Sequence, residues 1–146
     1  ALSAFQLTME DLGYGDRVTA FTLSDFSRTL QPAGSGSGSV GTDHAWGSHH
    51  LVVGGAVQGG NFYGVNGPNG SIFPSLVLGD VAGTSDTDSR GRWIPTVAVE
   101  QYAATLARWF GVSDANLPAV FPNLHRFAPA DLGFLSPPGS GLPGCA

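Results

Sequence analysis

The sequence predicts an α/β fold: a partial sheet with flanking helices and a large share of loop. An amphipathic helical pattern opens the chain and meets a β-branched, apolar run almost at once. A second helical pattern with a wide apolar stripe follows near residue 100. With 22 Gly and 10 Pro among 146 residues and only 12% charged side chains, little is left for other long helices. A chain of this length suits one domain, able to bury roughly two-thirds of its unfolded surface.

Taken in order, "LSAFQLTMEDLG" places Phe5, Met9 and Leu12 on one helical face, offers Ser3 as an N-cap and meets Gly13 as a stop. "RVTAFTL", with Val18 to Leu23 as its apolar run, is bounded by Gly15 and Asp16 before it and by Ser24 and Asp25 after it, the pattern of a buried, central strand. "HHLVVGGAV" and "FPSLVLGD" are further short strands, with Gly54 and Gly55 marking a bulge or a close backbone approach. "TVAVEQYAATLARWFG" is the clearest helix: Thr96 or a neighbour caps it, Tyr102, Leu106, Trp109 and Phe110 form its stripe, and Gly111 ends it. That stripe is expected to pack across the strand as core. Residues 33–41, around "GSGSGS", are expected to be a flexible loop, and 136–146 a Pro/Gly-rich tail, leaving 1–135 as the folded segment.

Charge excludes some functions. The net charge is −5 and all six basic residues are Arg, with no Lys/Arg cluster, which argues against a nucleic-acid surface. No apolar run reaches the roughly 18 to 20 residues that span a bilayer, and no basic segment followed by an apolar one marks a leader at the start. The single Cys145 rules out an internal disulfide framework and a cysteine zinc site.

The chemistry-bearing residues lie around "TLSDFSRTLQPAGSGSGSVGTDHAWGSHH". Ligands in open α/β sheets gather at the carboxyl ends of strands, where Asp25 is expected to sit. Further along come Asp43 and His44, then His49 and His50; a carboxylate and imidazoles converging on one edge suit Zn²⁺, or Mn²⁺ or Ca²⁺ where oxygen donors dominate. His49 and His50 are adjacent, so in a strand only one of them joins a given site. Arg28 could offer a bidentate fork to a phosphate or sulfate oxygen. Each residue also has a plain structural reading. Asp25 forms a turn, the histidines end a strand, and Arg28 pairs with a nearby Asp.

"VTAFTLSDFSRTLQP", "GTDHAWGSHHLVVGGAVQGG", "FPSLVLG", "GRWIPTVAVEQYAATLARWFGV" and "VFPNLHRF", in this order over residues 2 to about 135, resemble the C-terminal half of a bacterial family of secreted proteins of unknown function. Many of its members carry twin-arginine export signals, and the family is grouped with the sulfatase and alkaline phosphatase superfamily. The resemblance implies the C-terminal portion of an alkaline-phosphatase-like α/β fold, a secreted or periplasmic location, and a metal-dependent hydrolase of phosphate or sulfate esters. Asp25 would match the strand-end ligand and His44 the later histidine, with Asp43 beside it. Phe26 departs from the superfamily's His, and Ser27 and Ala45 stand where the family usually has glycine. The nucleophile and first metal carboxylates of such enzymes come from an N-terminal half, so this chain is expected to be a C-terminal segment, inactive alone, whose partner is that half or another subunit.

A reading from another class treats the chain as a secreted, non-catalytic binding or self-assembling module, a homo-oligomer among its forms. Low charge, abundant glycine, three Trp and three Tyr suit carbohydrate contact or subunit packing, and exposed sheet edges invite association.

Overall fold

In a computed structural model, residues 1–34, 40–78 and 86–136 are described. Most of the Gly/Ser stretch expected to be flexible (35–39) and of the expected tail (137–146) lies outside the described residues, and so does Cys145. The fold is mixed α/β and loop-rich, and it divides into two compact units. The first comprises Ala1–Thr22, Leu51–Tyr63 and the chain from Val97 on; the second comprises Leu23–His50 and Gly64–Thr96.

Among the described residues, the first unit holds every helix and strand longer than a turn. Helix α1 spans Leu2–Asp11, with Ala1 rather than Ser3 at its N-cap. It stops as expected at Gly13, whose φ of +76° suits a residue without Cβ and whose N–H bonds the Glu10 carbonyl. A single 3-10 turn, Gly15–Arg17, leads into strand β1, Thr19–Phe21. β1 pairs antiparallel with β2, Val52–Gly54, in the register Thr19–Gly54, Ala20–Val53 and Phe21–Val52. The glycines after Val53 serve the expected close approach. A Cβ at Gly54 would lie 2.6 Å from the Val18 carbonyl oxygen, and one at Gly55 would collide with the Asp16 carboxylate.

The expected central strand over Val18 to Leu23 is corrected. Among the described residues only three of its residues pair, with one neighbour in a two-stranded sheet, and Phe21 and Leu23 are exposed. An apolar run reports β-propensity but not how many partners the strand will find. The expected strand "FPSLVLGD" forms no ladder among its described residues. Side chains take its backbone instead: Ser71 Oγ accepts from Phe73 N, Ser75 Oγ from Val77 N and Asp86 Oδ2 from Ser75 N, while Thr87 Oγ1 donates to the Val77 carbonyl. Such local bonds compete directly with sheet pairing.

Helix α2, Val99–Trp109, is the framework of the first unit. Its N-cap is Ala98, two residues past Thr96, and the Gln101 side chain reaches back to accept the Ala98 N–H at 2.9 Å. Tyr102 packs with Phe134 and Leu135, and Leu106 and Trp109 lie against that cluster; Ala104 packs with Leu117 and Leu124. Leu117, 2% exposed, lies in the short helix α3, Leu117–Val120, and its burial contributes about 2 kcal/mol. Tyr102 meets the sheet: its ring stands edge-on to Phe21 and its hydroxyl donates to the Thr22 carbonyl. Phe110 is corrected: it caps the helix end and is 84% exposed, so the stripe stops at Trp109. Among the described residues no helix is long and apolar enough to cross a membrane.

Candidate functional site

The second unit contains all the residues singled out in "SDFSRT" and "TDHAWGSHH". Its backbone is organised by extended segments that pair briefly. Thr29 N–H bonds the Asp43 carbonyl at 3.0 Å and Ala45 N–H bonds the Ser27 carbonyl at 2.8 Å, forming an isolated antiparallel bridge between Arg28 and His44. In this pattern Arg28 and His44 are the non-hydrogen-bonded pair, so their side chains leave the same face at close range. Buried Thr29 secures the crossing: its Oγ1 accepts the Asp43 N–H and donates to the Gln31 carbonyl.

On that face, Phe26 stacks on the His44 imidazole, with ring centroids 3.8 Å apart and planes 16° from parallel. The Arg28 guanidinium lies over the same phenyl ring at 5.3 Å and donates through Nη1 to the Thr42 carbonyl at 2.8 Å. Cation, aromatic ring and imidazole thus form one stack in which Arg28 and His44 are exposed and Phe26 is half-buried. The bond to Thr42 fixes the guanidinium, while its Nε–Nη2 edge has no partner among the described residues. A fixed guanidinium edge is a two-pronged donor with the geometry of a carboxylate, phosphate or sulfate oxygen pair.

Asp43 is placed differently. The alternation of an extended strand turns neighbours to opposite faces, and Asp43 forms an ion pair with Arg90 at 2.7 Å. The same alternation that sets His49 and His50 on opposite faces separates Asp43 from His44. Asp25 is not a strand-end residue, since β1 ends at Phe21. Asp25 sits exposed at the tip of a turn in which Ser24 Oγ donates to the Phe26 carbonyl. His49 lies edge-on to Trp93, with centroids 5.1 Å apart. The structure thus brings Arg28 and His44 together, sends Asp43 to Arg90 and His49 to Trp93, and leaves Asp25 on its own turn.

Arg90 and Thr29 are not among the residues the sequence singles out, and Phe26 is marked there only as a departure from the superfamily's His. Only for Phe26 was a signal present: it and Arg28 stand two apart and so share a face with a residue opposite. Close by, Asp88 accepts the backbone N–H groups of Arg90 and Arg92 and faces the Arg92 guanidinium at 2.7 Å. The bond from the Arg92 backbone, with that from Arg90 and the Arg92 charge, holds the Asp88 carboxyl below the usual carboxylate range despite partial desolvation.

Among the described residues no group of three or more His, Cys, Asp or Glu side chains is arranged to hold a metal ion.

No curated protein and no solved structure matches the chain. Residues 1–71, which include Asp25, Arg28, Asp43, His44 and His49, match the family described as Protein of unknown function (DUF1501).

Proposed function

We propose that the second unit supplies an oxyanion-binding edge to a hydrolase-like domain acting on phosphate or sulfate esters. Arg28 is the residue that holds the phosphoryl or sulfuryl oxygens, and His44 lies beside them. The observation that carries this reading is the Arg28–His44 bridge, with the guanidinium fixed on Phe26 and Thr42 and its second edge without a partner among the described residues. A donor held in place before the anion arrives loses little entropy on binding it.

The resemblance to the C-terminal portion of alkaline-phosphatase-like domains, and to secreted proteins, supports the same reading. In this reading Asp25 and His44 are the donors the chain offers to Zn²⁺, or to Mn²⁺ or Ca²⁺. The remaining donors and the nucleophile come from the N-terminal half of the protein or from another subunit, and the domain works outside the cytoplasm. A metal so held would polarise the ester oxygen. The second reading, a secreted self-assembling module, is favoured by α1, which buries none of its residues and exposes Leu2, Phe5 and Leu7.

The test is titration of the isotope-labelled protein with inorganic phosphate and, separately, sulfate, followed by NMR. Saturable shifts are expected at the amides of residues 26–29 and 42–45. Arg28→Ala should weaken binding by about tenfold or more, since a hydrogen bond to a charged group is worth about 1.5 to 3 kcal/mol. Arg28→Lys, which keeps the charge but loses the fork, should fall between. Unchanged affinity in Arg28→Ala would overturn the reading and leave assembly as the better account.

A further inference from the structure

We infer that Asn66 is a site of spontaneous covalent modification, deamidation through a cyclic imide, and that its near-twin Asn69 is protected by the fold. The chain reads "VNGPNGS" over residues 65–71, with two Asn-Gly dipeptides three residues apart. Glycine after asparagine leaves its backbone nitrogen unshielded, because no Cβ blocks the approach to the neighbouring side-chain amide. The nitrogen of the glycine attacks Asn Cγ, an N–Cγ bond forms, the Cγ–Nδ2 bond breaks, and ammonia departs with the proton that the glycine nitrogen gives up. Water then opens the ring at either carbonyl and leaves aspartate or isoaspartate.

As sequence the two dipeptides are equivalent; the fold makes them different. Asn69 is fastened at both ends of its amide. Nδ2 donates to the Phe73 carbonyl at 2.8 Å and Oδ1 accepts the Ser71 N–H at 2.8 Å. Asn66 is exposed, and its side chain has no hydrogen bond among the described residues. The nucleophilic nitrogens do not discriminate, since Gly67 N–H donates to Ser71 and Gly70 N–H to Gly67, each at 2.9 Å. Cyclisation at Asn69 must therefore break two side-chain bonds that cyclisation at Asn66 does not meet.

The product has a structural consequence. Gly67 lies against the carboxylate of Asp86, so closely that a Cβ there would collide with Oδ1, and Asp86 is only 2% exposed. Asp86 Oδ2 in turn accepts the Ser75 N–H at 2.8 Å. Isoaspartate at 66 routes the main chain through an extra methylene directly before Gly67, which displaces Gly67 from Asp86 and loosens the Ser75 bond.

The experiment is to age the protein at mildly alkaline pH, once folded and once in denaturant, and quantify aspartate and isoaspartate at 66 and 69 by peptide mass spectrometry. In denaturant the two sites should convert at similar rates. In the folded protein Asn66 should lead Asn69 by about tenfold or more, a barrier difference of about 1.4 kcal/mol. Equal conversion in the folded protein, a lead at Asn69, or no conversion at either site would overturn the inference. In the converted fraction the Ser75 amide should exchange with deuterium several-fold faster. Identical exchange would overturn the link to Asp86.

Discussion

Gln101 offers the sharpest test of how the first unit is held together. It is 2% exposed, an unusual position for an amide, and both ends are used: Oε1 accepts the Ala98 N–H at 2.9 Å, and Nε2 donates to the Pro129 carbonyl at 2.6 Å. One bond closes the first turn of α2, and the other ties that turn to the chain 28 residues later. Gln101→Ala removes both. Ala98 is half-buried and Pro129 exposed, so water can reach the orphaned groups and each loss costs about 1 kcal/mol rather than the full penalty of a buried orphan. The vacated side-chain volume adds about 1 kcal/mol more. The expected destabilisation is thus about 2 to 3 kcal/mol, a lowering of Tm by roughly 6 to 10 °C for a chain of this size. Urea unfolding followed by far-UV circular dichroism, with a thermal scan, measures it. Val99→Ala, at a neighbouring helical position 61% exposed, serves as control and should shift stability by less than about 0.5 kcal/mol. If Gln101→Ala behaves like the control, Gln101 does not tie α2 to residue 129 and the account of the first unit is wrong.

Two pH predictions have opposite signs. Burial pushes the Tyr102 phenol above its ordinary value, so the unfolded chain ionises first; stability should be whole below about pH 10 and fall as pH rises beyond it. Tyr102→Phe should flatten that alkaline limb of the stability profile, and an unchanged slope would contradict the assignment. Asp88 is shifted the other way, so its contribution is present above the ordinary carboxylate range and lost as pH falls below about 4. Asp88→Asn should reduce the acid-side slope and leave the neutral-pH fold intact by NMR; an acid limb identical to the parent's would refute the role given to its backbone bonds.

The sequence by itself determined the local elements of this protein. Phe5 and Met9 repeat at helical spacing before Gly13, and Tyr102, Leu106 and Trp109 do so before Gly111. Both helices form there, because periodicity and a glycine able to take positive φ act within a few residues of chain. β2 was legible for the same reason, with Gly54 and Gly55 marking where another strand comes close. What only the tertiary structure decided was pairing. Whether Val18 to Leu23 lies at the centre of a sheet depends on partners that the run cannot specify, and among the described residues it finds one, β2. The candidate site divides in the same way. The concentration of Asp25, Arg28, Asp43 and His44 in one stretch was visible, but their grouping was set by two backbone bonds between segments far apart in sequence, Thr29 to Asp43 and Ala45 to Ser27. Those bonds fix the register. Register then decides, through the two-residue alternation of extended chain, that His44 meets Arg28 and Phe26 while Asp43 turns away to Arg90.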